Sequence, residues 1–150
     1  IGSTSVPGLW AKPIIDMLAV VDDFDPLDRL NPQFVSLRYE PMGECGIPSR
    51  RYFRRDNPAG IRTHQIHAFE VGSTHIERHL AFRDYLRSMP TVANEYASLK
   101  RRLAAAHPSD IEAYMDGKDS FIKETEALAL KWKSTSKLMP QEDESLPGIR

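Results

Sequence analysis

Cysteine, long apolar runs and an excess of one charge are all scarce in this 150-residue chain. The single cysteine, Cys45, excludes a disulfide bond within the chain and fits a reducing compartment. No apolar run approaches the roughly 20 residues that a membrane-spanning helix needs, and no signal peptide is recognisable. The formal net charge is −1, from 20 basic and 21 acidic residues, which argues against general coating of nucleic acids but leaves room for a local basic patch. We therefore expect a cytoplasmic protein that binds neither membranes nor nucleic acids in general.

Three common catalytic or metal-binding motifs are also missing. The sequence contains no Walker A phosphate loop, no Gly-x-Ser-x-Gly turn and no Cys-x-x-Cys pair. It therefore does not support a kinase-type loop, a serine hydrolase or a zinc ribbon. What the chain has is a length and an apolar share, 41%, that suit one globular domain with a real core.

One carboxylate, Asp16, stands inside an apolar run at residues 14–21 that predicts a buried strand. Burying an unpaired carboxylate is costly, so a metal ion, a cation or a ligand usually neutralises it. Gly2 and Ser3 precede it in a predicted turn, and this order resembles the opening of a nucleotidyltransferase active site. The co-occurrence of Ser3, Lys12 and Asp16 favours a functional site over an Asp that merely caps a neighbouring loop.

The second carboxylate usual in that fold is absent. Nucleotidyltransferases usually present two acids two residues apart, which point to one face of the strand and hold divalent metal ions. Here the second position is Leu18. A single carboxylate holds Mg²⁺ poorly without water, substrate phosphate or another ligand. Standard two-metal nucleotidyl transfer is therefore in doubt.

A series of motifs in order across residues 1–133 resembles the GrpB family, whose fold is similar to that of nucleotidyltransferases. The motifs are Ile1-Gly2-Ser3-Thr4-Ser5-Val6-Pro7-Gly8-Leu9, Lys12-Pro13-Ile14-Ile15-Asp16, Gly46-Ile47-Pro48, Arg50-Arg51-Tyr52-Phe53, Arg62-Thr63-His64-Gln65-Ile66-His67 and Arg78-His79-Leu80-Ala81-Phe82-Arg83-Asp84-Tyr85-Leu86, followed by Tyr96, Leu99-Lys100, Tyr114, Lys118 and Phe121-Ile122. The resemblance implies a nucleotidyltransferase-like small mixed β-sheet followed by a C-terminal helical bundle, an α+β fold. It also implies a helix and a strand-leading segment before Ile1.

The N-terminal half alternates apolar segments with turn signals. Its predicted elements are a loop with a short helix at 3–11, a strand at 14–21, a brief helix from Asp25-Pro26 to Asn31-Pro32, a strand at 34–39, a loop at 40–48 and strands at 49–55 and 61–70. Residues 56–60 form a five-residue hairpin loop between the last two strands.

The C-terminal half has helical spacing. Its predicted helices start at a Thr74–Glu77 capping box and end near Ser88, span 92–103 after Pro90, run from a Ser109–Glu112 capping box to Gly117, and cover 121–132. Residues 134–150 are polar and acidic and contain proline, so we expect a disordered tail there. Strands first and helices afterwards is an α+β order.

The histidines offer a partner for Asp16. His67 stands where such folds carry a third acid, and an Asp16–His67 site with Glu44 as a third ligand would hold a divalent metal, Mg²⁺ or Mn²⁺, with Zn²⁺ as a softer option. A structural histidine with a satisfied hydrogen bond is an equally good interpretation of His67. His64 should point to the opposite face, because it is an odd number of residues away on the same strand.

Two further histidines share a helix face. His75 and His79 are four residues apart, but their order is not that of the metalloprotease motif. We expect His75 to be a solvated first-turn residue, and His79 either to line the site or to be structural.

Basic residues supply the second signal. Strand alternation places Arg50 with Arg54 and Arg51 with Arg55 on opposite faces, and we expect Arg51 or Arg50 to meet a ligand, while Arg54 and Arg55 are solvated.

The helical half adds cations that could face the sheet. By the resemblance, Arg83, Lys100 and Lys118 bind an anionic ligand, whereas Arg101 and Arg102 are ordinary surface residues. Arg83 is not expected to pair with its neighbour Asp84.

The leading hypothesis is a nucleotidyltransferase-like enzyme that binds a nucleotide or another phosphorylated or anionic small molecule between sheet and helices, with metal assistance. Its residues would be Asp16 and His67 in catalysis, Asp16, His67 and Glu44 at the metal, and Ser3, Lys12, Arg51, Arg83, Lys100 and Lys118 at the anion. The alternative is a non-catalytic ligand-binding or accessory module, because GrpB-like domains occur fused to dephospho-CoA kinase. A histidine-based metal hydrolase would need Asp16, His64 and His67 to converge, which strand alternation opposes. A homodimer is compatible with the sequence, which gives no support for it.

Overall fold

The computed structural model describes residues 1–138 and shows the expected α+β fold. After a 3₁₀ turn at Ser3–Ser5, the elements are β1 (Ile15–Val21), α1 (Phe24–Arg29), α2 (Asn31–Ser36), β2 (Glu40–Pro41), β3 (Arg51–Asp56), β4 (Arg62–Glu70), α3 (Thr74–Ser88), α4 (Pro90–Ala106) and α5 (Ile111–Leu138). None of the helices in this part of the chain is long and apolar enough to cross a membrane.

The four strands form one mixed sheet in the order β1-β4-β3-β2. β1 runs parallel to β4, while β3 is antiparallel to both β4 and β2. The register pairs Leu18 with His67 and Tyr52 with His67, so these side chains and Asp16 lie on the same face of the sheet.

The two faces of the sheet pack against different helices. The face opposite Asp16 packs on the short helices, where Phe24 and Leu27 join Phe53 and Ala68 in one core cluster. The face that carries Asp16 looks toward α3, whose His79 ring lies 5.6 Å from that of His67. A second cluster around Val6, Leu86, Ala93 and Tyr96 ties the N-terminal turn to the helical half.

The strand that carries Asp16 is less buried than its apolar sequence predicts. Within the described residues β1 is an outer strand of the sheet, and Ile15 and Val20 are 51% and 52% exposed. The expectation of a fully buried strand is wrong, because an apolar run alone does not distinguish a central strand from an outer one. Asp16 itself is partly buried, with its side chain 23% exposed.

The predicted strand at 34–39 is wrong. Pro32 lies in the first turn of α2 and starts this helix instead of ending the one before it. Phe34 from α2 stacks on Phe53, with ring centroids 4.2 Å apart, so the apolar residues of this segment pack on the sheet without belonging to it.

The helix caps lie close to the predicted ones without coinciding with them. α1 is capped by Asp23, whose carboxylate accepts from the Asp25 amide at 2.9 Å. Ser73 rather than Thr74 caps α3, and Asp110 rather than Ser109 accepts from the Ala113 amide at 3.0 Å. Each shift arises because several residues in a row have capping side chains, and only the backbone geometry selects one.

Gly117 neither ends nor kinks the last helix, which is continuous through Leu138. A β-carbon at position 117 would overlap the Leu103 side chain, so the glycine allows α5 to approach α4 closely. The boundary predicted at Ser134 also moves, because α5 continues to Leu138, and residues 139–150 of the predicted tail lie outside the described residues.

Candidate functional site

The N-terminal turn lies directly against the Asp16 carboxylate. Gly2 has φ +73°, and a β-carbon built there would fall 2.8 Å from Cγ and 2.9 Å from Cβ of Asp16, closer than real β-carbons come. Glycine is therefore required at this position on two counts, the left-handed backbone and the space. The Gly-Ser motif thus packs with its backbone beside the strand carboxylate.

Lys100 anchors this turn from α4. Its side chain is buried, with the residue 3% exposed, and Nζ donates to Ser3 Oγ at 2.9 Å and to the Trp10 carbonyl at 2.6 Å. Nζ also lies 4.5 Å from the ring centroid of Tyr96. Burial lowers the pKa of Lys100 to about 8, and the charge of Lys118 acts in the same direction.

Two more lysines meet over Tyr114. Lys12 Nζ and Lys118 Nζ lie 4.9 Å and 5.2 Å from its ring centroid, within the range of cation–π attraction. Burial lowers the pKa of Lys118, nearby Lys12 lowers it further, and Asp16 opposes both effects. These influences place Lys12, Lys118 and Asp16 in one electrostatic neighbourhood. We call the set of Ser3, Lys12, Asp16, Lys100 and Lys118 the lysine cluster.

Tyr96 adds a neutral hydroxyl beside the cluster. Burial raises its pKa to about 12, and Tyr114 and Asp16 act in the same direction, whereas a hydrogen bond with Ser3 opposes the shift. The phenol therefore keeps its proton and can donate it in a hydrogen bond. Neither tyrosine was among the predicted site residues, although Tyr114 stands one turn before Lys118 in the sequence.

His67 approaches Asp16 from the neighbouring strand. Its Nε2 lies 3.8 Å from Asp16 Oδ1, which is beyond hydrogen-bond range, and its Nδ1 lies 3.3 Å from Arg50 Nη1. Arg50 is 6% exposed and is held by the carbonyls of Glu44 and Cys45 at 3.1 Å and 2.8 Å. The structure thus brings Asp16 and His67 near each other, and of the two candidate arginines Arg50 is the one that lies on their face of the sheet.

Two histidines of α3 lie on the same side of the sheet as His67, and burial favours the neutral form of both rings. Burial lowers the pKa of His79 to about 3, and the charge of Arg78 contributes to the shift. His75 stacks on Phe69 at 5.0 Å, and burial lowers its pKa as well. The expectation of a solvated His75 is wrong, because its ring packs on the aromatic residue of β4 and its Nδ1 is buried.

Two predicted anion-binding arginines have other partners. Arg51 lies on the opposite face of the sheet from Asp16, where its guanidinium bonds both oxygens of Asp28 at 2.8 Å and 2.9 Å, so placing it in the Asp16 site is wrong. Arg83 pairs with Asp84 at 2.7 Å, against our expectation. The arginine side chain is long enough for its guanidinium to reach Asp84 Oδ1 through Nε and Nη2, so the rule that adjacent helical residues diverge does not hold for its tip.

The metal-ligand set fits poorly as it stands. Within residues 1–138 no group of three or more His, Cys, Asp or Glu side chains is arranged to hold a metal ion. The Glu44 carboxylate accepts from the Ser49 amide at 2.7 Å. His64 bonds Thr63 Oγ1 at 2.9 Å and, as alternation predicts, lies on the face opposite Asp16. Asp16 is thus a single carboxylate that lies against Gly2 and near His67, with Lys118 within electrostatic range.

Two sizeable clefts lie outside the lysine cluster. One of about 590 Å³ is lined by Asp28, Glu44 and Arg51, and one of about 500 Å³ by Val6, Leu86 and Arg87. Size alone therefore does not identify the site. What distinguishes the lysine cluster is its positive charge and the burial of Lys100.

The fold and the site define an α+β protein with a mixed four-stranded sheet and a cluster of three lysines near one strand carboxylate, of which Lys100 is buried, Lys118 partly buried and Lys12 exposed. The chain belongs to the GrpB family, since the model of the family described as "GrpB protein" matches residues 1–127.

The relatives extend the comparison. The chain is 50% identical over 133 residues to UPF0157 protein YqkA of Bacillus subtilis, covering 89% of this chain and 38% of that one. It is 39% identical over 124 residues to UPF0157 protein PA4798 of Pseudomonas aeruginosa, covering 81% of this chain and 50% of the relative. This chain thus spans half or less of those two proteins. The crystal structure of GrpB from Enterococcus faecalis matches with TM-score 0.84 and 50% identity, covering 89% of this chain and 79% of that one.

Proposed function

We propose that this protein binds a nucleotide or another phosphorylated small molecule at the lysine cluster. The observation that carries the proposal is the convergence of Lys12, Lys100 and Lys118, from three separate segments, on a neighbourhood in which Asp16 is the nearby acid. Three ammonium groups against one carboxylate leave an excess of positive charge. A phosphate group supplies the missing negative charge and several hydrogen-bond acceptors.

The lowered pKa values of Lys100 and Lys118 support the same proposal. Burial and mutual repulsion lower the pKa values of Lys100 and Lys118, so the charged cluster is held at a cost to folding. Strongly perturbed groups of this kind concentrate at functional sites. An anion would offset both the desolvation and the repulsion.

Asp16 and His67 are the groups that this proposal places at the reacting end of the ligand. They lie 3.8 Å apart at the margin of the cluster, and both can hold or move a proton. A divalent ion, Mg²⁺ or Mn²⁺, enters this proposal only as an ion that arrives with the ligand phosphates, because Asp16 alone gives it one protein carboxylate.

The second candidate function is ligand binding without catalysis, as an accessory module. Leu18 favours it, because this residue lies on the same face as Asp16 at the position where a second acid would complete the usual metal-binding pair. The two candidates differ in how they respond to Asp16→Asn. An enzyme loses turnover while it keeps its ligand, whereas a binding module keeps or gains affinity because one negative charge near the phosphate is gone.

Thermal and isothermal titration with nucleotides and phosphorylated metabolites, with and without Mg²⁺ or Mn²⁺, tests the proposal. A ligand at about 100 times its Kd adds about 2.7 kcal/mol of stability. We expect Lys118→Gln to weaken binding by about 10- to 100-fold, the range for one charged hydrogen bond. Lys131→Gln is the matched control, since it removes the same charge from an exposed position of the same helix. Equal affinities of the two variants would refute the site, and the absence of any stabilising phosphate compound would refute the ligand class.

A further inference from the structure

We propose that Arg50 is a positioning residue that fixes His67 as an Nε2–H donor directed at the Asp16 end of the site, which makes His67 a hydrogen-bond donor to an oxyanion and not a metal ligand. The inference rests on the proposed function only for the identity of the oxyanion. The state of the His67 ring is a property of the protein without any ligand.

The contact between Arg50 and His67 has only one chemically sound direction. An arginine guanidinium stays protonated in proteins and carries donors alone, so its Nη1 must donate to His67 Nδ1, 3.3 Å away. Nδ1 is then the acceptor of a neutral imidazole, and the ring proton sits on Nε2. Arg50 cannot easily turn away, because the carbonyls of Glu44 and Cys45 hold its other nitrogens and the residue is 6% exposed.

Within residues 1–138 the protonated Nε2 points toward Asp16 and has no acceptor within hydrogen-bond distance. Asp16 Oδ1 is the carboxylate oxygen near it, at 3.8 Å, a gap that a direct hydrogen bond does not span. An oxygen of a bound phosphate, placed beside Asp16 by the lysines, is an acceptor of the right kind for this N–H. His67 would thus add a neutral hydrogen-bond donor next to Asp16, in addition to the charged donors of the lysines.

The same arrangement opposes metal binding through Nε2. A metal ion needs the Nε2 lone pair, which would move the proton to Nδ1 and set an N–H of His67 against an N–H of Arg50. Metal-ligating histidines instead direct their second N–H at a carboxylate, a carbonyl or water. The Arg50 guanidinium beside Nδ1 is a hydrogen-bond donor, whereas a metal-ligating histidine needs an acceptor there. Arg50 therefore disfavours a transition metal bound by Asp16 and His67.

Long-range ¹H–¹⁵N correlation spectra of the labelled full chain test the tautomer directly, at a pH where the imidazoles are neutral. The His67 signals are assigned by their loss in His67→Gln. We expect one protonated nitrogen, Nε2, and one unprotonated nitrogen, Nδ1, in the wild type, and signals averaged between the two tautomers in Arg50→Met. A wild-type spectrum with Nδ1 protonated overturns the proposal, whether or not any phosphate compound binds.

Titration with Zn²⁺ alone supplies the second measurement. We expect the wild type and His67→Gln to bind Zn²⁺ equally, and Arg50→Met to bind at least about 10-fold more tightly, the usual scale for hydrogen-bond partners behind a metal ligand. Adding His67→Gln to Arg50→Met should abolish that gain. Arg54→Met is the matched control, as it removes an arginine of β3 that pairs with Glu40. Zn²⁺ binding by the wild type that depends on His67 overturns the proposal, and this comparison needs no Arg50 variant to fold.

Discussion

Replacing Lys100 by methionine should change the pH dependence of stability in a direction that the structure dictates. Lys100 is 3% exposed, and burial lowers its pKa from 10.5 to about 8. At about 1.4 kcal/mol per pH unit, this difference corresponds to roughly 3 kcal/mol by which the fold disfavours the charged amine. Methionine is similar in length to lysine but carries no ionisable group. The substitution therefore removes both the free-energy cost of burying the charge and the two hydrogen bonds of Nζ.

The sign follows from proton counting. Between about pH 8 and pH 10.5 the unfolded chain keeps the proton of Lys100, while the folded protein has released it, so stability rises with pH. The destabilisation is complete below the folded pKa and disappears above the unfolded one. Tyr96 acts in the opposite direction above about pH 10, because its pKa is raised to about 12. The useful window is therefore about pH 8 to pH 10, where Lys100 should contribute a rise of about 2 kcal/mol.

Urea unfolding across this window measures the effect as a difference between proteins. The free energy of unfolding of the wild type minus that of Lys100→Met should increase by about 2 kcal/mol from pH 8 to pH 10. Lys131→Met, an exposed change of the same chemistry on α5, should follow the wild-type curve. A difference that stays flat, or that falls as the pH rises, would refute the claim that Lys100 is held at a cost inside the site.

The remaining predictions address the packing around the site. Gly2→Ala should destabilise the protein by about 1–3 kcal/mol and weaken ligand binding, because its β-carbon meets Asp16 at a left-handed backbone position; thermal melts with and without ligand measure both effects. Gly117→Ala should lower the free energy of unfolding by about 1–3 kcal/mol, because its β-carbon overlaps Leu103, and this outweighs a gain in helix propensity of about 1 kcal/mol. In a Leu103→Ala background the overlap is gone, so urea unfolding should show that Gly117→Ala is stabilising. Asp28→Asn should cost about 1 kcal/mol or less and leave ligand affinity unchanged in the same titrations, since its arginine partner lies on the other face of the sheet.

The strands that build the site were predictable because their signals are local. Residues 14–21 and 61–70 carry enough β-forming apolar residues to define β1 and β4, and a short polar loop at 56–60 defines the hairpin. The strand predicted at 34–39 was wrong because the local signal in this segment is ambiguous. Its apolar content fits either a strand or a helix that packs on a sheet, and only Pro32 at the start of α2 settles the choice.

Within the site, alternation separated Arg50 from Arg51 but could not say which of them lies on the face of Asp16. That choice depends on which face of the sheet the short helices cover, and α1 covers the face of Arg51 through Phe24 and Asp28. Two aromatic contacts of the lysines follow from helical spacing, because Tyr96 precedes Lys100 and Tyr114 precedes Lys118 by four residues on one helix. The contacts of Lys12 with Tyr114 and of Lys100 with Ser3 could not be predicted in this way, because they join segments that are far apart in the sequence. Local pattern therefore defines the strand carboxylate, while long-range packing defines the residues that surround it.

Leu18, which stands where a second acid is usual, and the lysines of the cluster both make the site less negative. A pair of carboxylates requires divalent cations before a phosphate can approach, because acids alone would repel it. With Leu18 in the second position, one carboxylate of the usual metal-binding pair is missing, and Lys118, which interacts electrostatically with Asp16 and with Lys12, brings positive charge to the site from the chain itself. Lysines in this position also compete with a metal ion for the same carboxylate. The proposed function therefore needs direct binding of an anion and no two-metal centre, and a titration in which nucleotide binds equally with and without Mg²⁺ would support this distinction.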